Sequence, residues 1–307
     1  QSFWWKAFKT AGAALYKLAR FHLTTGSSLP KDWLTVGRIV LIHKAGSHDD
    51  PANYRPIACL NTCYKLLTSF VTAYLHQYVK ERGVLPEEQV ALRKGVWGCT
   101  HALILDQTLI ADALNQRQHP ISVAWIDYAK AFDSLPHSYI KWLISALQVP
   151  KPLGEFIKKL INSWRIRYEV RDPQGKTHRS NYLRVKSGVL QGDSFSPLLF
   201  CIAMAPISHA INSLKCGYKT AFGKSKNMQI ELSHLFYMDD LKLYGSSLES
   251  LTEMVEMVDT VSTAINMKMN TKKCAVANFV PKRLRDDDGV GSDQSSESCL
   301  GFPSLNS

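Results

Sequence analysis

A chain of 307 residues, 45% hydrophobic and 21% charged, is long enough for one large core or two domains, and this ordinary composition excludes a fibre or a wholly disordered protein. Lysine and arginine number 37 against 26 acidic residues, a formal charge of +11, which favours a polyanionic partner through counterion release. The 7 cysteines match neither a disulfide framework nor a zinc ribbon, and no apolar run reaches the roughly eighteen residues of a membrane span, so a reducing compartment away from membranes is the simpler setting.

Residues 1–30 read as an N-terminal amphipathic helical extension, because Lys6, Lys9, Lys17 and Arg20 interrupt an apolar, aromatic stretch at helical spacing. A chain that begins at Gln1 rather than Met reads as a fragment or processed product. The run Val36-Gly37-Arg38-Ile39-Val40-Leu41-Ile42 then closes on His43-Lys44 and a turn-rich stretch, as one arm of a hairpin with basic residues near its tip. Pro56 keeps Tyr54 to Ile57 extended and leaves Arg55 projecting from a rigid segment.

Leu66, Leu67, Phe70, Val71, Tyr74, Leu75 and Tyr78 recur at helical spacing within 65–82, and Gly83 and Pro86 end that helix. Another helix is expected over 101–117. The apolar run Ile121-Ser122-Val123-Ala124-Trp125-Ile126 has the look of a strand buried on both faces, and it ends on Asp127. An unpaired carboxylate buried there costs several kcal/mol, so Asp127 must emerge at an edge, find a partner or bind metal.

Helices are expected to open near Pro136 and Pro152, and residues 165–171 and 181–186 flank Asp172-Pro173-Gln174-Gly175 as a hairpin. Gly188 to Asp193 forms a loop, and an apolar helix follows over 198–211. Two alternating runs, His234-Leu235-Phe236-Tyr237 and Leu241-Lys242-Leu243-Tyr244, then enclose Met238-Asp239-Asp240 as a hairpin carrying both carboxylates at its tip. Adjacent carboxylates repel and raise each other's pKa, so either solvent or a cation must screen them.

A last helix places Leu251, Met254, Val255, Val258, Val261 and Ile265 on one face, and residues 281–307 read as a disordered tail rich in Asp, Ser and Gly. Interleaved strands and helices make the fold class α+β, or mixed α/β, around an antiparallel-rich sheet.

Three stretches taken together resemble the palm of reverse transcriptases. Asp127-Tyr128-Ala129-Lys130-Ala131-Phe132-Asp133 is similar to the first catalytic motif, Gln191-Gly192-Asp193-Ser194-Phe195-Ser196-Pro197 to the second, and Tyr237-Met238-Asp239-Asp240 to the third. With Leu41-Ile42-His43-Lys44 and Asn53-Tyr54-Arg55-Pro56-Ile57 added, the wording resembles non-LTR (LINE-like) retrotransposons, closest to the R4/Dong-like and R2-like group. The resemblance runs over about 36–277 and implies right-hand polymerase fingers over 31–120 and a palm over 121–280, with the thumb largely absent.

The function it implies is RNA-directed DNA synthesis, with an RNA template, a DNA primer or target, and dNTP as partners, inside the cell and in the nucleus. Such a nucleotidyl transfer uses two Mg²⁺ ions about 3.5–4 Å apart, with Mn²⁺ as a substitute, and these ions want hard oxygen ligands. By the resemblance, Asp127 and Asp239 bridge the metals and Asp240 supports them, while Asp133 and Asp193 have structural roles.

Phe132 is expected beneath the sugar of the incoming nucleotide, where its ring would collide with a 2′-hydroxyl. Lys44 and Arg55 match residues holding the triphosphate, and a planar guanidinium suits that task. Gln191 and Gly192 lie near the sugar and template, and Lys273 matches a lysine that protonates pyrophosphate, with Lys272 adjacent. The rival expectation is a truncated, catalytically silent nucleic-acid-binding module; metal-dependent phosphodiester hydrolysis is a third.

Overall fold

The structure, a computed structural model, describes residues 35–93, 95–117, 119–220 and 230–281, together with positions 12–14, 16–17, 19–22, 24–25 and 27. The described positions between 12 and 25 are helical. The rest of the predicted N-terminal helix, and all but the first residue of the predicted tail, lie outside the described residues.

In chain order, β1 (Val36–His43) and β2 (Tyr54–Cys59) precede the helices α1 (Thr62–Glu81) and α2 (Cys99–Ala111), and α2 runs on into a π-helical turn, Asp112–Arg117. Strand β3 (Ile121–Ile126) leads to α3 (Ala131–Ser134), α4 (His137–Ala146) and α5 (Lys151–Ser163). Then come β4 (Arg165–Arg171), β5 (Thr177–Arg179), β6 (Leu183–Arg184) and the long helix α6 (Ser196–Leu214). The remainder comprises β7 (Tyr218–Lys219), β8 (Glu231–Leu232), β9 (His234–Tyr237), β10 (Asp240–Gly245), α7 (Leu248–Ala264) and β11 (Ala275–Phe279).

The chain divides into two compact units, one formed by the residues up to Arg82 with Phe132–Phe200, the other by Gly83–Ala131 with the residues from Cys201 on. In the first unit β1 and β2 form the expected antiparallel hairpin, and β1 also pairs in parallel with β4, Val36 beside Arg165. Helix α1 begins where the Asn61 side chain accepts the Cys63 N–H at 2.8 Å, which satisfies one of the free donors of its first turn. Its buried residues Tyr64, Leu67, Val71, Leu75 and Tyr78 keep the three-and-four spacing read from the sequence.

The hairpin expected between 165–171 and 181–186 takes a different form. The chain turns through Asp172, whose Oδ1 accepts the Lys176 N–H at 2.8 Å, and β5 returns at once along 169–171. Within 181–186, Leu183 and Arg184 pair with the start of β4, beyond a break where Ser180 Oγ accepts the Tyr168 N–H at 2.9 Å.

The second unit is built on a four-stranded, wholly antiparallel sheet in the order β11-β3-β10-β9. Strand β3 sits inside it and is buried along its length except at Trp125, as an inner strand of apolar residues must be. One core cluster gathers Leu109, Ala113, Ile121, Val123, Leu235 and Tyr244. Each of its leucine, isoleucine and valine side chains contributes roughly 1.5–3 kcal/mol by leaving water. Strand β11, absent from the sequence reading, completes the sheet by pairing Ala275–Phe279 with β3.

Helix α6 corrects one expectation: at 19 residues it has the length and hydropathy of a membrane span. Its side chains from Leu198 to Ala205 are nonetheless buried within the protein.

Candidate active site

The hairpin of β9 and β10 is closed by two residues, because Tyr237 pairs with Asp240 and leaves Met238 and Asp239 as the loop. Asp239 therefore lies at the tip, while Asp240 opens strand β10; the expectation that both sit at the tip is corrected by one register step. Met238 has φ 58°, the left-handed region favoured at the first loop position of a tight hairpin but costly for a residue with a side chain.

Gln89 holds this loop from outside. Its Oε1 accepts the Met238 N–H at 3.1 Å and its Nε2 donates to the Met238 carbonyl at 3.2 Å, so one amide side chain satisfies both backbone groups of the strained residue. Beside it, the Phe236 N–H donates to the Glu88 carbonyl and the Val90 N–H to the Phe236 carbonyl, each at 2.9 Å, which covers the outer edge of β9. At the base of the hairpin the buried His234 ring bonds to Ser208 Oγ through Nε2 and to Ser233 Oγ, at 2.8 Å, through Nδ1. Burial drives this imidazole down to about 3, so it is neutral there and adds no charge beneath the carboxylates.

Asp127 is the first residue beyond β3. The pairing of Ile126 with Leu241 carries one step further to set Asp127 across from Asp240. Asp127 is half-buried and its surroundings are specific: Asn270 Nδ2 donates to Oδ2 at 3.2 Å, and the Asn270 N–H donates to its carbonyl at 2.7 Å. The Asp127 N–H is directed at Cys274 Sγ, 3.4 Å away. Asn270 and Cys274 bracket Lys272 and Lys273, which lie exposed on a turn whose Lys273 N–H closes onto the Asn270 carbonyl at 2.8 Å.

Burial first, and the Asp127 charge second, push the Asp240 carboxyl above its ordinary value. Burial likewise lifts the Cys201 thiol to about 12, with the Asp239 charge adding to it. A cation beside Asp240 would relieve the cost that burial and the Asp127 charge place on its ionised form. Among the described residues no three His, Cys, Asp or Glu side chains close a coordination cage of their own. Mg²⁺ is ordinarily bound by one or two carboxylates completed by water and substrate phosphate, so a hard-oxygen set of this kind fits it.

The remaining predicted residues belong to the first unit. Lys44 is exposed just past β1, where its N–H bonds the Asn53 carbonyl at 2.8 Å, and Arg55 is exposed on β2 opposite Ile42. Phe132 stacks on Phe200 with ring centroids 4.3 Å apart and planes within 3°. The Gln191 carbonyl accepts the Ala58 N–H at 2.6 Å, docking the Gln191-Gly192 loop on β2. Gly192 has φ 109°, and a Cβ there would meet the Ala58 carbonyl oxygen at 2.6 Å, so this position admits glycine alone. Asp193 is buried, accepting from Thr68 Oγ1 at 2.9 Å and from the Tyr64 hydroxyl at 3.4 Å.

Sequence reasoning missed Gln89, Asn270 and Cys274 as supports of the carboxylates. Asn270 and Cys274 lay inside the stretch read for its lysines, whereas nothing in its neighbours marks Gln89.

An inner strand ending on a carboxylate, beside a hairpin bearing two more on an antiparallel sheet, defines the palm of a nucleic-acid polymerase. The family model described as "Reverse transcriptase (RNA-dependent DNA polymerase)" matches residues 42–303, and the chain belongs to that family. This match runs further toward the C-terminus than the motifs alone.

The Pol polyprotein of retrotransposable element R2 from Nasonia vitripennis is 25% identical over 285 residues, covering 90% of this chain and 25% of that protein. The R2 polyprotein of Popillia japonica is 26% identical over 254 residues, covering 83% and 33%. The chain thus spans a quarter to a third of the length of these relatives. Among solved structures, apo telomerase from Candida tropicalis, truncated from its C-terminal domain, superposes with a TM-score of 0.57 at 14% identity, over 82% of this chain and 52% of that one. That likeness bears out the fingers-and-palm fold class.

Proposed function

We propose that this domain adds deoxynucleotides to a primer 3′-hydroxyl, copying an RNA template at nicked chromosomal DNA in the nucleus. The observation that carries the reading is the juxtaposition of Asp127 with the Asp239-Asp240 hairpin, in a chain of the reverse transcriptase family. Asp127 and Asp239 would hold two Mg²⁺ ions, with Asp240 supporting them. When bound, these ions supply charge stabilisation for the attacking 3′ oxygen and the leaving pyrophosphate.

The chain's own groups do the rest. Asn270 keeps one oxygen of Asp127 engaged and so fixes the orientation of its carboxylate. Gln89 maintains the loop that presents Asp239. Phe132, rigid against Phe200, excludes a ribonucleotide by collision with its 2′-hydroxyl. Lys44 and Arg55 bind the triphosphate of dNTP, Arg55 through its fork of N–H donors. Gln191 and Gly192 line the sugar and template, and Lys273 delivers a proton to pyrophosphate.

Primer extension by the full chain, with Mg²⁺, RNA template and dNTPs, tests the reading. Templated extension is expected from the parent and none from Asp239→Asn, whose RNA affinity stays within about twofold because the basic surface supplies binding. Binding without extension by the parent would favour a silent nucleic-acid-binding module; template-independent cleavage would favour hydrolysis.

A further inference from the structure

The sheet of the second unit carries a lysine on the same face as Asp127 and Asp240. Side chains alternate along a strand, so Lys242 projects from β10 on the face that Asp240 occupies two residues earlier. Its partner across the ladder is Trp125 on β3, and two residues beyond Trp125 lies Asp127. Diagonal neighbours on paired strands sit about 7–8 Å apart, within reach of a long side chain. An ammonium free to swing there would close an ion pair with Asp127 or Asp240 and take the place that a cation would fill.

The fold turns Lys242 the other way. Its Nζ donates to Asp106 Oδ1 on α2 and lies 4.3 Å from the centroid of the Trp125 ring. The side chains of Lys242 and Asp106 are 15% and 16% exposed. The same Asp106 oxygen accepts the Tyr244 hydroxyl at 3.0 Å. Burial first, and the Asp106 charge second, hold that hydroxyl well above its ordinary value, so it stays a donor. A pair this far from solvent repays little of the cost of dehydrating both groups, and apolar residues of similar volume serve stability as well. What the pair decides is where the lysine charge sits.

We infer that Asp106 is a positioning residue for metal binding: with Trp125 it holds the Lys242 ammonium off Asp127 and Asp240 and leaves them open to a divalent cation. The inference rests on the proposed metal role of Asp127, Asp239 and Asp240. All of these residues belong to the second unit.

Mn²⁺ alone, titrated into the full chain with the free ion read by electron paramagnetic resonance, provides the test, and Asp239→Asn identifies the site by its loss. Asp106→Asn keeps an oxygen for Tyr244 and removes the charge that restrains Lys242. An opposite charge beside a carboxylate moves its affinity for a proton by roughly one to three orders of magnitude, so Mn²⁺ binding is expected to weaken at least about tenfold. Adding Lys242→Met to Asp106→Asn is expected to restore the parent affinity to within about twofold, a rescue that lost packing alone would not give. Trp125→Leu removes the ring and is expected to weaken binding about threefold through the same lysine. Melts in chelator confirm that each variant folds. Should Asp106→Asn fail to fold, Trp125→Leu with and without Lys242→Met carries the same comparison.

Parent affinity in folded Asp106→Asn overturns the inference, as does a loss that persists once Lys242 is replaced by methionine. A crystal structure of Asp106→Asn without metal separates this inference from the metal reading on which it rests. Lys242 Nζ within about 4 Å of Asp127 or Asp240 upholds the clamp even where the parent shows no Mn²⁺ site that Asp239→Asn removes, a result that rejects the metal reading alone. Lys242 unmoved in the variant, beside a parent that binds Mn²⁺, rejects the clamp alone.

Discussion

Asp127 and Asp240 face each other across neighbouring antiparallel strands, fixed there by the pairing of Ile126 with Leu241 immediately inside them. Two carboxylates so placed repel, and the burial of Asp240 adds to the cost of its charge. That strain is measurable without any assay of catalysis.

Asp240 carries a raised pKa, from burial first and from Asp127 second. A group raised in the folded state stabilises the fold fully below its unfolded value, and that contribution is lost as pH rises through the folded value. In chelator, Asp240→Asn is therefore expected to be more stable than the parent at neutral pH, with the gap closing below the ordinary aspartate value of 3.8. Denaturant melts across pH measure this; a parent at least as stable as the variant at neutral pH contradicts it.

Divalent cation should reverse the same repulsion. At ten times its dissociation constant, Mg²⁺ is expected to stabilise the parent by about 1.4 kcal/mol and to leave Asp127→Asn and Asp239→Asn nearly unshifted. Thermal melts with and without Mg²⁺ read the difference. An equal shift in all three chains would place the binding elsewhere.

Gln89→Leu removes both bonds that the Gln89 side chain makes to Met238, a residue already at positive φ. A loss of about 1–3 kcal/mol in unfolding free energy is expected, from a buried donor and acceptor left unpaired. Extension should slow with RNA affinity retained, because the loop that loosens bears Asp239. Parent-like stability and rate would show that the loop holds its shape without Gln89.

In the first unit, Thr68→Val deprives the buried Asp193 of its 2.9 Å hydrogen bond. Burial already raises the Asp193 pKa, and Thr68 is the foremost group lowering it. The variant's pKa is expected to rise further, so its deficit of about 1–3 kcal/mol should be largest at neutral pH and shrink in acid. A deficit independent of pH would assign the loss to packing instead.

Much of this was legible in the chain. Periodicity marked α1 and α7, the apolar run ending on Asp127 marked β3, and the alternation on either side of Met238 marked the hairpin. The parallel pairing of β1 with β4 was not legible, because the residues it joins lie far apart and parallel strands share no turn signal. The break at Ser180 was hidden too, since it depends on which hydrogen bonds the return arm reaches rather than on its composition.

The aspartate hairpin divides along the same line. By itself the sequence determined that Asp239 and Asp240 stand between two strands and that Asp127 closes another, since local alternation and apolar runs are written in neighbouring residues. Only the tertiary structure decided that the strands adjoin in a register setting Asp127 against Asp240, and that Gln89 and Asn270 hold the two sides. Those relations come from backbone pairing and burial between segments distant in the chain, where a shift of one residue would turn every side chain to the opposite face.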